Sequence, residues 1–194
     1  MHHDADTAAA GTDRAARHTQ VLRRGVAVGF GALVVALSAQ VVVPVPFSPV
    51  PMTLQPLAVL AVGGVLGPGA GMSALVLYIA LGALGLPVFA AGGSGLMHLL
   101  GPTGGYLLAF PVAAGVTGAL TGLVPHSPLR VLLACALGMV IIHTGGVAQL
   151  ALLGRDPSLA MRVGFIPFLT GDLLKVGLAA ALILVAGPKV RSLL

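Results

Sequence analysis

Charge is what this sequence lacks most clearly. Residues 25–129 contain no Lys, Arg, Asp or Glu, and charged residues make up 8% of the chain against 57% hydrophobic ones. Soluble domains carry about 25% charged residues, so the composition predicts an integral membrane protein. Each spanning helix needs about 20 residues, so the chain has room for about six spans and none for a separate soluble catalytic domain.

Signatures of nucleotide and metal chemistry are also missing. No Gly-Lys-Ser or Gly-Lys-Thr occurs, so the chain has no phosphate-binding loop and we expect no ATP hydrolysis by this chain. Cys135 is the single cysteine, which excludes an internal disulfide. His98, His126 and His143 lack the spacing of a metal site. We therefore predict no metal, no cofactor and no enzymatic activity.

The sequence instead contains six apolar segments separated by Pro-rich, Gly-rich or polar stretches. The predicted spans cover about 25–43, 53–66, 70–84, 104–123, 129–153 and 167–187. Residues 1–24 are polar and Ala-rich, and we predict a flexible cytoplasmic tail before a membrane domain over 25–194. The segment 44–52 contains four prolines, which exclude a helix and favour a stiff extended loop. The predicted fold class is an all-α integral membrane protein, a bundle of six transmembrane helices.

The basic residues predict how this bundle is oriented. With six spans both termini share one side, and on that side lie Arg14, Arg17, Arg23, Arg24, Arg130, Lys189 and Arg191. The opposite side has Arg155 and Arg162. The positive-inside rule then places the protein in the cytoplasmic membrane with both termini in the cytoplasm. The same rule explains the net charge of +5 without a nucleic-acid partner.

Asp172 and Lys175 break the apolar pattern of the last span. Each costs roughly 2.5–3.5 kcal/mol at the centre of a bilayer, so such residues usually line a polar site. Three residues apart on a helix, they share one face. One interpretation is an ion pair that only neutralises itself. The other is an outward-facing ligand pocket beneath the extracellular loops, in which Asp172 accepts ligand N–H groups and Lys175 neutralises a ligand carboxylate.

The glycine loop and the first span each leave alternatives open. Gly92-Gly93-Ser94-Gly95 resembles the nucleophile motif of rhomboid intramembrane proteases, with His98 or His143 as a base, but a Gly-rich chain produces such a match by chance. The alternative is a loop whose glycines let the backbone approach a ligand closely.

In the first span the small residues form one helical stripe, which packs either inside the bundle or against a second membrane protein. The stripe is Gly25, Gly29, Ala32, Ala36 and Ala39.

Four ordered segments resemble the BioY family, the biotin-specific substrate-binding (S) components of energy-coupling factor (ECF) transporters. They are Pro44-Val-Pro-Phe-Ser-Pro-Val-Pro-Met-Thr-Leu-Gln55, Leu84-Gly-Leu-Pro-Val-Phe89, Leu100-Gly-Pro-Thr-Gly-Gly-Tyr106 and Gly171-Asp-Leu-Leu-Lys175. The resemblance implies a biotin pocket under the extracellular loops. It also implies a transmembrane coupling protein and two ATPase subunits as partners, and it assigns the small-residue face around Gly29, Ala32 and Ala36 to docking.

The chemistry of biotin suits these residues. Biotin has a ureido ring, an apolar thioether ring and a carboxylate, and we assign Asp172 and Lys175 to its two polar ends. Further predicted contacts are hydrogen bonds from Gln55, Tyr78 and Tyr106, apolar cover from Phe47 and Phe89, and close backbone approach at Gly92 and Gly93. Ala91 and Gly92 stand where polar side chains are expected in some family members. A self-sufficient biotin carrier is the alternative that differs only in its energy source.

Overall fold

The computed structural model describes residues 2–123 and 127–194, with side chains described from residue 17 onwards. The helices are α1 His2–Ser38, α2 Gln55–Leu66, α3 Pro68–Ala83, α4 Leu96–Leu100, α5 Gly104–Leu123, α6 Pro128–Gly154, α7 Pro157–Gly164 and α8 Leu169–Arg191. Strands β1 Val42–Val43 and β2 Met52–Thr53 form a small antiparallel pair. The predicted break around Pro125 and His126 lies outside the described residues.

The helical class is confirmed, and several helices are suited to a membrane. Four stretches in the described residues are long and apolar enough to cross one: Arg17–Ser38, Gly104–Leu123, Pro128–Gly154 and Pro157–Arg191. The helices α2 and α3 are apolar but shorter. Large apolar side chains on the outside of the bundle are exposed, as lipid contact requires. The count of six spans stays a prediction.

Proline, glycine and one aspartate set the helix ends. Gly67 has a φ of 85° and separates α2 from α3, and Pro68 then begins α3 at a position that needs no hydrogen-bond donor. Pro128 begins α6 in the same way. Asp156 caps α7, because its carboxylate accepts hydrogen bonds from the backbone N–H groups of Ser158 and Leu159.

Several predicted boundaries differ from the structure. The first helix begins at His2 rather than at residue 25, since the Ala-rich segment before the span favours helix. It ends at Ser38, because Val42 and Val43 pair with β2 and make the proline loop the tip of a hairpin. The glycine loop contains α4, and the polar stretch after α6 contains α7.

Helix α2 lies at the centre of the bundle and contacts α1, α3, α5, α6 and α8. Glycine residues allow the backbones of neighbouring helices to approach most closely. A Cβ at Gly63 would lie 2.6 Å from the Cα of Ala114 on α5, and a Cβ at Gly71 would lie 2.8 Å from the Cα of Gly63. Helices in lipid associate through such small-residue surfaces, because close backbone approach maximises van der Waals contact.

The small-residue stripe of α1 is divided between two environments. Ala32 is 3% exposed and Ala39 is fully buried, whereas Gly25 and Gly29 are exposed, and a Cβ added at either glycine would meet no atom within 4 Å. Gly31, which lies beside the stripe, is closely packed instead, and a Cβ there would meet side chains of α2 and α3. The stripe is therefore packed inside the bundle near the end of α1 and open nearer its start.

Candidate functional site

A pocket lies among the hairpin, the loop around α4 and helices α5, α6 and α8. The cavity has a volume of about 50 Å³, or about 540 Å³ with the open space at its mouth. The smaller volume, which leaves out the open mouth, holds a few water molecules. The residues that line it are Val50, Pro51, Thr53, Gln55, Pro56, Ala90, His98, Thr103, Tyr106, Leu107, Phe110, Ile142, His143, Phe168, Asp172 and Lys175.

Three ionisable side chains meet at one wall of this pocket. The Lys175 Nζ donates to the Asp172 Oδ1 at 3.0 Å, and the His143 Nε2 lies 2.6 Å from the Asp172 Oδ2. Asp172 and Lys175 are each 6% exposed, and His143 is 7% exposed. A buried carboxylate is tolerated when its charge is paired and its oxygens are hydrogen-bonded. Helix α8 supplies the pair, and α6 supplies the histidine.

This geometry favours one shared polar end over the predicted assignment of Asp172 and Lys175 to opposite ends of a ligand, which stays a prediction. Their charged atoms are 3.0 Å apart, whereas the ureido and carboxylate groups of biotin are separated by a ring and an alkyl chain. The ion pair that the sequence offered as the alternative is present, and the same two residues also line the pocket. Together they form one polar end of it, with an acceptor and a donor side by side.

Gln55 is held in place by a chain of hydrogen bonds. Its Nε2 donates to the Tyr78 hydroxyl at 2.6 Å, which donates to the Val88 carbonyl at 3.1 Å. The Thr53 hydroxyl donates to the Gln55 Oε1 at 3.2 Å. Gln55 lines the pocket and Tyr78 does not. Tyr78 therefore lies behind the pocket wall, where its hydroxyl orients the side chain of Gln55. This position differs from the direct ligand contact that the sequence predicted.

His98 forms a second polar part of the wall, near the loops. Its Nε2 lies 3.2 Å from the Thr103 Oγ1, and its ring stacks on Phe89 with 5.1 Å between centroids. A side chain at Gly93 would overlap this ring, with the His98 Cε1 at 2.5 Å from the added Cβ. Burial lowers the pKa of His98 from its ordinary value, which favours the neutral ring.

The structure brings together only part of the predicted site. Asp172, Lys175, Gln55 and Tyr106 line the pocket, and the Tyr106 hydroxyl donates to the Gly164 carbonyl at 2.6 Å. Phe47 is 68% exposed and lies outside it, because it sits at the hairpin tip. Phe89 is fully buried behind His98, so it supports the wall rather than covering a ligand.

The glycine loop contributes through its backbone shape. Ala91 and Gly92 have φ values of 54° and 73°, which form a left-handed turn in the loop before α4. Gly92 and Gly93 do not line the pocket, whereas the neighbouring Ala90 does. Gly93 leaves room for the ring of His98, which gives this glycine a packing role, and its contact with a ligand stays a prediction.

Sequence reasoning missed His143 and His98 as pocket residues. It considered both only as metal ligands or as a protease base. Among the described residues no group of three or more His, Cys, Asp or Glu side chains could hold a metal ion. His143 is a polar residue in a span, so the cost of burying polar groups in lipid could have singled it out as it did Asp172. His98 carried no such signal.

A helical bundle with apolar spanning stretches and a buried pocket, whose polar end is an acceptor–donor pair, defines a membrane protein that binds a small molecule. The fold is similar to a crystal structure of the S-component for biotin from an ECF-type ABC transporter. The TM-score is 0.79 at 24% sequence identity, over 84% of this chain and 90% of that chain. The chain belongs to the BioY family, whose family model matches residues 9–192.

Similar proteins in this family are transporters. The chain is 40% identical over 150 residues to a probable biotin transporter BioY of Pyrococcus horikoshii, a match that covers 76% of this chain and 88% of that protein. It is 41% identical over 140 residues to a biotin transporter BioY of Thermotoga maritima, covering 72% and 82%. The family resemblance and the assignment to a transporter family rather than an enzyme family are thereby confirmed.

Proposed function

We propose that this protein captures biotin for uptake as the substrate-specific subunit of an ECF-type transporter. Its family and the names of its relatives support this function. The observation that carries it is the Asp172–Lys175 pair on a buried pocket wall. A carboxylate beside an ammonium offers an acceptor and a donor to neighbouring N–H and C=O groups. The cyclic urea of biotin presents such groups, and charge-assisted hydrogen bonds to them are the strong kind.

The rest of the pocket suits the remainder of biotin. Leu107, Phe110, Ile142 and Phe168 give apolar walls beside the polar end, and these match the thioether ring. The carboxylate of biotin then points towards the loops that close the pocket, where His98 and Thr103 lie. In this arrangement Lys175 binds the urea carbonyl and not the carboxylate.

Equilibrium binding tests this function. Labelled biotin should bind the purified protein saturably, with one site per chain. Excess unlabelled biotin should displace it, whereas lipoate, which has a carboxylate and a sulfur ring but no urea, should not. Folded protein that binds no biotin would contradict the proposal. So would protein from which lipoate displaces labelled biotin as well as unlabelled biotin does.

An intramembrane protease is the weaker interpretation of the same chain. Within the described residues Ser94 is exposed and makes no hydrogen bond with a histidine, because His98 is directed to Thr103 and His143 to Asp172. A serine nucleophile needs a base within hydrogen-bond reach. The glycine loop is therefore assigned to closing the pocket.

The proposal includes six spans in the cytoplasmic membrane, with both termini in the cytoplasm and the pocket facing outwards. After replacement of Cys135 by Ala, single cysteines at Arg23, Ser192 and Arg155 test it, since all three positions are exposed. We expect a membrane-impermeant thiol reagent to label Arg155→Cys in intact cells. Arg23→Cys and Ser192→Cys should react only after the membrane is opened. Labelling of Arg23→Cys and Ser192→Cys from opposite sides would mean an odd number of spans.

The proposed partners are a transmembrane coupling protein and two ATPase subunits, with docking on the open part of the α1 stripe. Gly29→Trp adds bulk to an exposed position with no neighbour, so biotin binding should be kept while co-purification with the coupling protein and uptake are lost. Ala32→Trp is a poor test, because Ala32 is buried and the added ring would overpack the bundle at a cost of about 1–3 kcal/mol.

The matched control is Phe30→Trp, which adds bulk at an exposed neighbouring position. Normal assembly and uptake by Gly29→Trp would remove the stripe from the mechanism. Undiminished uptake in cells without the coupling protein would favour the self-sufficient carrier.

A further inference from the structure

A second cavity lies at the end of the bundle that is proposed to face the cytoplasm. It has a volume of about 590 Å³, within the range of about 300–1,000 Å³ that is usual for ligand pockets. Helix α2 begins at the pocket described above and ends at this cavity. The two are therefore separated by most of the length of a 12-residue helix, about 18 Å. The walls of the cavity include Arg24, Val28, Leu66, Gly69, Ser73 and Arg191.

The cavity carries positive charge that no acidic side chain neutralises. Arg24 and Arg191 are the ionisable side chains that line it. Among the side chains that the structure describes, the only carboxylates are those of Asp156, which caps α7, and Asp172, which pairs with Lys175. Charges attract more strongly at a protein surface of low dielectric constant than in bulk water. The cavity is therefore suited to an anion.

Arg191 is held in place by hydrogen bonds to α2 and α5. Its Nη2 donates to the Gly64 carbonyl, to the Gly118 carbonyl at 3.3 Å and to the Thr121 Oγ1 at 2.7 Å. All three acceptors are neutral, so these bonds fix the guanidinium without cancelling its charge. Arg191 therefore supplies a fixed positive charge at the cavity wall.

Arg24 is the more accessible of the two arginines. It is exposed, and its Nε donates to the backbone oxygen of Leu194 at 3.3 Å. Its two terminal nitrogens have no acceptor among the described residues. A guanidinium binds phosphate oxygens through such paired N–H groups. The exposed Ser73 lines the same cavity and adds a hydroxyl donor.

The cavity also has an apolar side. Val28 lies one turn after Arg24 in the apolar stretch Arg17–Ser38, and Leu66 ends α2 beside it. On α3 the exposed Val76 continues this apolar surface away from Ser73. A free inorganic anion gains nothing from such a surface, whereas the acyl chains of a lipid do. The combination of basic and apolar walls matches a phospholipid.

We propose that this cavity binds the phosphodiester of an anionic phospholipid. Arg24 and Ser73 donate hydrogen bonds to the phosphate oxygens, and Arg191 supplies charge behind them. Basic pockets between membrane helices on the cytoplasmic side are suited to such head groups. A zwitterionic lipid carries a cation of its own and binds more weakly beside two arginines. The site goes beyond the proposed function, because no part of it depends on biotin.

Lipid binding to the purified protein in detergent tests the site. The probe is phosphatidylglycerol with a fluorophore on one acyl chain, at about 0.15 M salt, where charges more than about 8 Å away are largely screened. It should bind at one site per chain, and unlabelled phosphatidylglycerol should displace it. Phosphatidylcholine should compete roughly tenfold or more weakly. A large excess of inorganic phosphate should leave the lipid bound.

Two pairs of variants separate a shaped site from general charge attraction. Arg24→Gln should weaken phosphatidylglycerol binding by about tenfold or more. Its matched control, Arg23→Gln, removes the same charge from an exposed residue that does not line the cavity, and should change binding by less than about twofold.

Gly69→Leu fills the cavity without changing its charge, because a Cβ there meets no atom within 4 Å. It should also weaken lipid binding. Gly177→Leu makes the same substitution at an equally open position in α8 and should bind lipid as the wild type does. Arg191 is not replaced, since it also holds α8 to α2 and α5.

Equal weakening in Arg24→Gln and Arg23→Gln would overturn the proposal, because surface charge alone would then attract the lipid. Displacement by inorganic phosphate would overturn it in favour of a site for a free anion. Unchanged lipid binding in Arg24→Gln, with co-purification of the coupling protein lost, would assign the cavity to a protein partner. Melting temperatures report folding, and the competition needs only the wild type. Protein that binds this lipid but no biotin contradicts the proposed function alone.

Discussion

Asp172→Ala is expected to weaken biotin binding and to destabilise the fold at the same time. It removes the partner of the Lys175 ammonium and of the His143 N–H, both of which are buried. Breaking a buried pair from one side costs about 3–5 kcal/mol of folding free energy. The lost hydrogen bond to a charged group should weaken biotin binding by about 1.5–3 kcal/mol. Thermal unfolding in detergent and biotin titration measure the two effects.

A double variant separates binding from stability. Asp172→Leu with Lys175→Met removes both charges and replaces them with apolar side chains, which should restore much of the stability lost in Asp172→Ala. Lys175→Met alone should also weaken biotin binding by about 1.5–3 kcal/mol. We expect the double variant to fold without binding biotin. Wild-type affinity in the folded double variant would mean that the pair is only structural.

The second large effect concerns the contact between α2 and α5. Gly63→Ala places a methyl group 2.6 Å from the Cα of Ala114, so backbone rather than a movable side chain stands in the way. The helices have to separate, and overpacking of this kind costs about 1–3 kcal/mol. Because α2 begins at Gln55 in the pocket wall, biotin affinity should fall together with the melting temperature.

Gly177→Ala is the matched control for Gly63→Ala. It makes the same substitution in α8, where a Cβ meets nothing within 4 Å, and alanine favours helix over glycine by about 1 kcal/mol. Its melting temperature should be unchanged or slightly raised, with wild-type biotin binding. Equal melting temperatures for the two variants would show that α2 and α5 do not pack as closely as described.

The sequence predicted those helices that have clear breaks at both ends. The span predicted over 104–123 coincides with α5, and α6 differs by one residue at each end from the span predicted over 129–153. Pro128 at the start of α6 and the Gly-Pro-Thr-Gly turn before α5 explain this accuracy. The span predicted from residue 25 lies within α1, which begins earlier at His2, because hydropathy marks where a span begins and not where a helix begins.

The site was only partly predictable, because its residues come from separate elements. Burial cost in lipid singled out Asp172 and Lys175 within one helix. The same argument could not place His143 beside them, since that contact depends on how α6 packs against α8. For Tyr78 and Phe89 the residue type indicated a position near the pocket, but the sequence could not predict which way each side chain points. Both side chains lie behind the pocket wall.

The central claim is that Asp172 and Lys175 bind the urea of biotin as one unit, and 2-iminobiotin tests it most directly. This analogue replaces the urea carbonyl by a cationic guanidine, which cannot accept a hydrogen bond from the Lys175 Nζ. The wild type should bind biotin more tightly than 2-iminobiotin at neutral pH. In Lys175→Met this preference should shrink, while the preference for biotin over its methyl ester stays unchanged. An unchanged preference over 2-iminobiotin with a reduced preference over the ester would contradict the account, since Lys175 would then bind the carboxylate.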